Sequence, residues 1–364
     1  MTGSQSMRSR EQQLFLATTP YHVLLSCALA AESADRFESH LLLFPFFADA
    51  EKMADALGHD ASLLSSVTVF SQARPKDYGE LKSALSRIHE YVGLYPKLGS
   101  LLVFNDRQHM MQAALHAARD SRREVRITYV EDGSAAYSAR LFAPNPLNLL
   151  TFGYRIAYGP WFQYIRCLGT SKWIDEVRVL YPEHVRPELR GRSTRAIDRE
   201  IFQRVNSAEW TLGYLDSIGI DLEEVQSRDI LLLAPHSKQL REDPEYRNSM
   251  RSLLSSAIQG KMRIAVKYHP REAEKDYLGL AEHPGCLALP RGTPAEFLFL
   301  PRTPGRMPLV IGGNTTAMIT ARWLLDSAPI VSMAHLMRRS DPKLIELFVK
   351  LGILLPTGIE ELTQ

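Results

Sequence analysis

The strongest constraint on the fold is a repeated alternation: short, nearly unbroken apolar runs, each followed by an amphipathic segment of helix length. "LFLATTP" (14–20) leads into "YHVLLSCALAAES", "HLLLFPF" (40–46) into "ADAEKMADAL", and "SSVTVF" (65–70) into "YGELKSALSRIHEYV". "GSLLVFND" (99–106) leads into "MMQAALHAARD", and "VRITYVEDG" closes the series. Strands apolar on both faces need cover on both faces, and intervening helices supply it, so the pattern predicts a doubly wound parallel sheet. A second series follows: "DILLLAP" (229–235), a helix over 243–259, "MRIAVKYHP" (262–270), "CLALP" (286–290), "MPLVIGGN" (307–314), a helix over 315–325 and "PIVS" (329–332). The chain is therefore expected to be α/β, with two Rossmann-like halves facing a central cleft. Its parts are a polar leader (1–12), an N-terminal domain (13–190), a connecting helix (191–225) and a C-terminal domain (226–364). A length of 364 residues suits two cores.

Composition excludes some partners. Lys+Arg of 43 against Asp+Glu of 41 leaves a net charge of +2, so no global field favours nucleic acid. Cys27, Cys167 and Cys286 match no metal or disulfide spacing, which points to a reducing compartment. The polar start "MTGSQSMRSREQQ" has no apolar core of a signal peptide, and no apolar run reaches the length of a spanning helix. A cytoplasmic setting is expected.

Ligands of doubly wound sheets sit at the carboxyl ends of strands, so strand-end motifs carry the functional argument. In "VRITYVEDGSAAY", Glu131, Asp132 and Gly133 follow an apolar strand. Either this is a solvated acidic turn, or a carboxylate stands there as general base, with Gly133 allowing close backbone approach. In "AVKYHPRE", alternation puts Lys267 and His269 on one side of a strand that Pro270 ends. They would suit a phosphate, or equally an unremarkable strand end; His22 and His236 are further strand-end histidines. "LVIGGNTTAMITARWLL" places Gly313, Thr315 and Thr316 between a strand and a helix start, where backbone N–H groups and hydroxyls suit an anion or simply cap the helix. Glu296, in "LPRGTPAEFLF", is either a ribose-binding acid or a helix-dipole acid. Residues 133–174 contain no Asp or Glu but many basic and aromatic residues. This suits a membrane interface or a polyanionic acceptor, or alternatively a helical subdomain that buries its aromatics.

Taken together, Glu131-Asp132-Gly133, His269-Pro270 and Thr315-Thr316 resemble the D/E-D/E-G, HP and paired S-S/T motifs of the bacterial sialyltransferases. More broadly, they resemble the sialyl- and polysialyltransferase-like group that uses CMP-activated nonulosonic acids. "LATTPYHVLL" resembles the first strand–loop–helix of these enzymes, and Pro294-x-Glu296 sits where they carry a ribose-binding acid. The departure is threonine at the first position of the paired motif, where serine is usual. The resemblance spans roughly residues 13 to 332. It implies a GT-B fold and an inverting transfer without metal or other cofactor, from a CMP-sugar to a glycan or glycolipid hydroxyl. Asp132 is then the base and His269 assists departure of CMP. Lys267, Pro270, Glu296, Gly313, Thr315 and Thr316 bind the donor, with Thr18 and Thr19 beside them, while Glu131 and Gly133 shape the acceptor turn. It also implies a bacterial surface glycan as acceptor and a cytoplasmic enzyme working at the inner membrane face; peripheral attachment there through 133–174 is a separate expectation from the acid-free aromatic run. The alternatives are a GT-B enzyme using CMP-Kdo or a UDP- or GDP-sugar, and a non-catalytic nucleotide-binding scaffold.

Overall fold

The structure is a computed structural model. It describes residues 10–60, 62–120, 124–138, 149–269, 272, 276–280, 282–290, 292–300, 307–326 and 328–356. The described residues form two compact units. Unit 1 takes them from 1–132, 141–182 and 187–202, and unit 2 from 133–140, 183–186 and 203–364.

Unit 1 is built on seven strands: β1 (Glu11–Ala17), β2 (Phe37–Leu43), β3 (Ser66–Val69), β4 (Leu98–Val103), β5 (Arg126–Val130), β6 (Glu176–Val179) and β7 (Ser193–Ala196). All pair in parallel in the order β3-β2-β1-β4-β5-β6-β7. The order reverses direction between β1 and β4, so the crevice of this sheet lies at their carboxyl ends. Helices α1 (Pro20–Glu32), α2 (Ala50–Gly58), α3 (Tyr78–Gly93) and α4 (His109–Asp120) make the crossovers, and α5 (Leu149–Tyr158) follows β5. Helix α1 starts where the sequence dictates: Thr19 caps it by accepting the His22 backbone N–H at 3.2 Å, and Pro20 occupies the first turn. Residues Tyr21 to Ala30 of α1 are all buried. The polar Gln13 inside β1 is compensated, since its amide donates to Ser33 Oγ (2.6 Å) and Ser39 Oγ (2.7 Å).

Unit 2 carries a five-stranded parallel sheet of β8 (Ile230–Leu233), β9 (Ile264–Lys267), β10 (Cys286–Ala288), β11 (Leu309–Gly312) and β12 (Ile330–Ser332), ordered β10-β9-β8-β11-β12. Its direction reverses between β8 and β11. Helices α6 (Arg199–Asn206), α7 (Glu209–Ser217) and α8 (Leu222–Gln226) precede it. Helices α9 (Ser237–Glu242), α10 (Pro244–Gln259), α11 (Ala295–Leu298), α12 (Ala317–Leu324) and α13 (Pro342–Lys350) accompany the strands. Ile230, Leu232, Ile264, Val266 and Ile311 meet Tyr246, Met250 and Leu253 of α10 in one buried cluster.

The sequence and structure differ at three places. Where a connecting helix was expected over 191–225, the chain first adds edge strand β7 to the unit 1 sheet and then forms three short helices. Strand β1 begins at Glu11, inside the expected leader, whose residues 1–9 lie outside the described ones. Within the 133–174 stretch assigned to the first domain, Gly133 to Ser138 pack with unit 2, and residues 139–148 lie outside the described residues.

Candidate functional site

Unit 1 gathers its polar chemistry at the carboxyl ends of β1, β4 and β5. The two acids after β5 have opposite environments. Glu131 is fully buried: its backbone N–H continues the ladder to Arg178 O at 2.9 Å, Oε1 accepts Tyr21 Oη–H at 2.9 Å, and Oε2 accepts Leu180 N–H at 2.7 Å. Asp132 has a side chain 34% exposed, and its Oδ1 lies 3.0 Å from His22 Nε2. Among the described residues no hydrogen bond holds its Oδ2. The backbone N–H of Asp132 donates to Tyr129 Oη at 3.4 Å, and burial pushes the Tyr129 phenol well above its ordinary range, keeping it protonated.

His22, kept in the sequence reading as a strand-end possibility beside His236, lies in α1 and is a direct polar partner of Asp132. Its ring stacks on Phe104, centroids 4.2 Å apart at 7°. Thr18 approaches Nδ1 with both its backbone N–H (3.2 Å) and its hydroxyl (3.0 Å). The Thr18 hydroxyl thus meets the His22 ring, and the Thr19 hydroxyl accepts the capping N–H of α1. Buried Asp106, after β4, accepts the Gly169 and Ser171 N–H groups, each at 2.9 Å. This fixes the loop against Tyr129, where a Cβ at Gly169 would come 2.6 Å from the ring. Burial raises the pKa of Asp106, opposed by those two bonds.

Unit 2 gathers a second set at its own switch point. Lys267, the last residue of β9, is buried, and its Nζ donates to Tyr268 O at 3.4 Å. Burial pulls its pKa down, while the carboxylate of Glu296, in the first turn of α11, pulls it up. His269 follows β9 and packs against His236, which follows β8, with ring centroids 5.2 Å apart. His236 caps α9, its Nδ1 accepting Lys238 N–H at 3.1 Å and lying 3.6 Å from buried Glu272 Oε2. After β11, Gly313 meets the buried Tyr246 Oη so closely that a Cβ would come within 2.7 Å. Tyr246 Oη and Ser237 Oγ, both buried, have no hydrogen-bond partner among the described residues. Thr315 Oγ1 accepts Ala317 N–H at 3.4 Å, whereas the exposed Thr316 caps α12 with its backbone only.

Gly133 packs against Thr316 within unit 2. Its φ is +59°, and a Cβ there would lie 2.8 Å from Thr316 Cβ, so glycine is required twice over. Pro270 lies outside the described residues. Among the described residues, no group of three or more His, Cys, Asp or Glu is arranged to hold a metal ion, and no helix is long and apolar enough to cross a membrane. Helix α5 leaves Leu149, Phe152 and Ile156, which share one face, more than half exposed.

These arrangements can be set beside known proteins. No curated protein matches the chain in sequence. An α/β-galactoside α-2,3-sialyltransferase from the luminous marine bacterium Photobacterium phosphoreum is similar in structure, with TM-score 0.55 and 13% identity over 98% of this chain and 100% of that one. A UDP-GlcNAc 2-epimerase from Neisseria meningitidis gives TM-score 0.58 and 12% identity over 97% and 90%. A UDP-N-acetylglucosamine 2-epimerase from Rickettsia bellii gives 0.52 and 14% over 96% and 85%. At such identities the likeness is one of fold, and the fold is GT-B: two Rossmann-like parallel-sheet domains. The family model described as alpha-2,8-polysialyltransferase matches residues 13–334. The chain belongs to this alpha-2,8-polysialyltransferase family and is a glycosyltransferase of sialyltransferase type.

Proposed function

We propose that the protein transfers sialic acid or a related nonulosonic acid from its CMP donor to a hydroxyl of a bacterial surface glycan, with inversion and without a metal. The carrying observation is the division of labour between adjacent acids. Glu131 is buried with both oxygens bonded, while Asp132 is partly exposed and, among the described residues, hydrogen-bonded through Oδ1 alone. An open carboxylate oxygen at a strand's carboxyl end suits a general base.

In this reading Asp132 Oδ2 takes the proton of the acceptor hydroxyl as its oxygen attacks the anomeric carbon. The bond from that carbon to the phosphate oxygen breaks, and its electron pair leaves with CMP. A single displacement inverts the centre. His269 donates a hydrogen bond or proton to the departing phosphate, and the Thr315 and Thr316 hydroxyls share its charge. Glu296 holds the ribose, and Lys267 lines the cytidine side as a cation that Glu296 helps to keep charged. A monophosphate leaving group carries modest charge, which this cradle can meet through hydrogen bonds alone. The enzyme is cytoplasmic in this reading, and the exposed apolar face of α5, with exposed Arg155 on the same helix and Arg166 and Lys172 after it, seats it on the inner membrane face.

The test is a donor panel of CMP-N-acetylneuraminic acid, CMP-Kdo, UDP-sugars and GDP-sugars, each with an α2,8-linked oligosialic acid primer. Turnover of CMP-N-acetylneuraminic acid is expected, unaffected by EDTA and lowered by orders of magnitude in Asp132→Asn. Turnover of UDP- or GDP-sugars alone would overturn the donor, and near-normal transfer by Asp132→Asn would overturn the base.

A further inference from the structure

The carboxylate assigned as base belongs to a pair that no local motif announces. Asp132 and His22 are 110 residues apart, yet Asp132 Oδ1 and His22 Nε2 lie 3.0 Å from each other. The side chain of His22 is only 1% exposed, against 34% for Asp132. Every functional surface of the imidazole is taken: a face by Phe104, Nδ1 by Thr18, and Nε2 by Asp132.

The Thr18 contact also settles where the ring carries its proton. A backbone N–H can only donate, and the Thr18 N–H faces Nδ1 at 3.2 Å, so Nδ1 presents its lone pair. In the neutral ring the proton then sits on Nε2 and points at Asp132 Oδ1. With both nitrogens engaged and the ring enclosed, His22 has nothing left with which to touch a substrate. The reverse assignment, His22 as base and Asp132 as its orienter, is closed by burial.

We propose that His22 is the positioning residue of the transfer reaction. Its Nε2–H holds Oδ1 so that Oδ2 stays turned toward the acceptor hydroxyl. Proton uptake at Oδ2 leaves Oδ1 as a carbonyl acceptor, so the His22 bond persists from reactant to product. Thr18 fixes the tautomer and Phe104 the plane of the ring, so the aim of the base is set by β1, β4 and α1 together. This inference rests on Asp132 acting as the base.

The experiment compares full-length wild type, His22→Phe, His22→Gln and Asp132→Asn with CMP-N-acetylneuraminic acid and an oligosialic acid primer. Phenylalanine keeps a ring for the Phe104 stack but has no donor, whereas glutamine restores an N–H near the Nε2 position. His22→Phe is expected to lower kcat about 100-fold, the scale set by misaiming a catalytic group, with donor KM changed less than about twofold. His22→Gln is expected to recover at least about tenfold of that loss. Wild-type kcat in His22→Phe, with Asp132→Asn inactive, would overturn the His22 role alone; an active Asp132→Asn would instead overturn the base. A second measurement needs neither turnover nor the phenylalanine variant: 15N-histidine spectra, with the His22 signal identified by its absence in His22→Gln. An Nε2-protonated signal that moves in Asp132→Asn is expected, and an Nδ1-protonated ring would overturn the arrangement.

Discussion

Replacing Glu131 by alanine separates a structural acid from a chemical one. Its carboxylate accepts Tyr21 Oη–H at 2.9 Å and Leu180 N–H at 2.7 Å, in a site with no solvent access. Truncation strands a phenol O–H and a peptide N–H, at about 1–3 kcal/mol for each buried donor left unmatched. The combined loss is roughly 2–6 kcal/mol, which in a unit of this size lowers the melting temperature by on the order of 10 °C. Glutamine can offer its carbonyl to Leu180 N–H and its amide to Tyr21 Oη, so Glu131→Gln should lose less than about half as much. Asp132→Asn, altering a partly exposed group with one bond, should stay within about 2–3 °C of wild type while abolishing transfer. Thermal melts followed by fluorescence, run beside transfer assays on the three variants, test the set. A Glu131→Ala melt within about 2 °C of wild type would refute the structural role, as would Asp132→Asn proving the less stable of the two.

Two further outcomes are expected. Burial lowers the pKa of His109, as it does for His40 and His116, below the ordinary 6.5. The unfolded chain therefore takes up protons the fold refuses, so stability is complete above that value and falls as pH drops through it. His109→Phe keeps the stack on Tyr158, now 4.6 Å and 3°, and should flatten the fall in melting temperature between pH 7.5 and 5.5; an unchanged slope would refute this. On α5, Phe152→Ser with Ile156→Ser should weaken sedimentation with phosphatidylglycerol vesicles by about tenfold or more. Equal binding by wild type and variant, or none by wild type, would remove the membrane role.

Much of the fold was legible because it is written as continuous apolar strands between helices. Strands β1, β2, β4, β5, β8, β9 and β11 all fall where such runs lie. Strands β6 and β7 were not legible. Their sequences, Glu-Val-Arg-Val and Ser-Thr-Arg-Ala, carry charge because they lie toward one edge of the sheet, and β7 is largely exposed. The helical reading over 191–225 followed a true 3.6-residue pattern in α6 and α7 and extended it backwards across β7. At the candidate site, sequence marks the strand-end acids but not which one is open. That depends on β6, whose backbone pulls Glu131 into the ladder. His22 was beyond local reading for the same kind of reason: its partner comes from a strand end 110 residues away.

The turn that follows Asp132 also bears on how the protein is made. Gly133 to Ala136 pack against α12, and Thr316, the residue they meet most closely, is synthesised about 180 residues later. At about 5–20 residues per second that is roughly 10–40 s of translation. The unit 1 sheet has all its strands once residue 196 has left the ribosome, while the turn beside the proposed base still lacks its packing partner. Chains released before α12 would hold a finished first sheet with an unsupported turn. The turn that Gly133 begins is therefore set by residues made long after it, and it stays without that support until α12 has emerged.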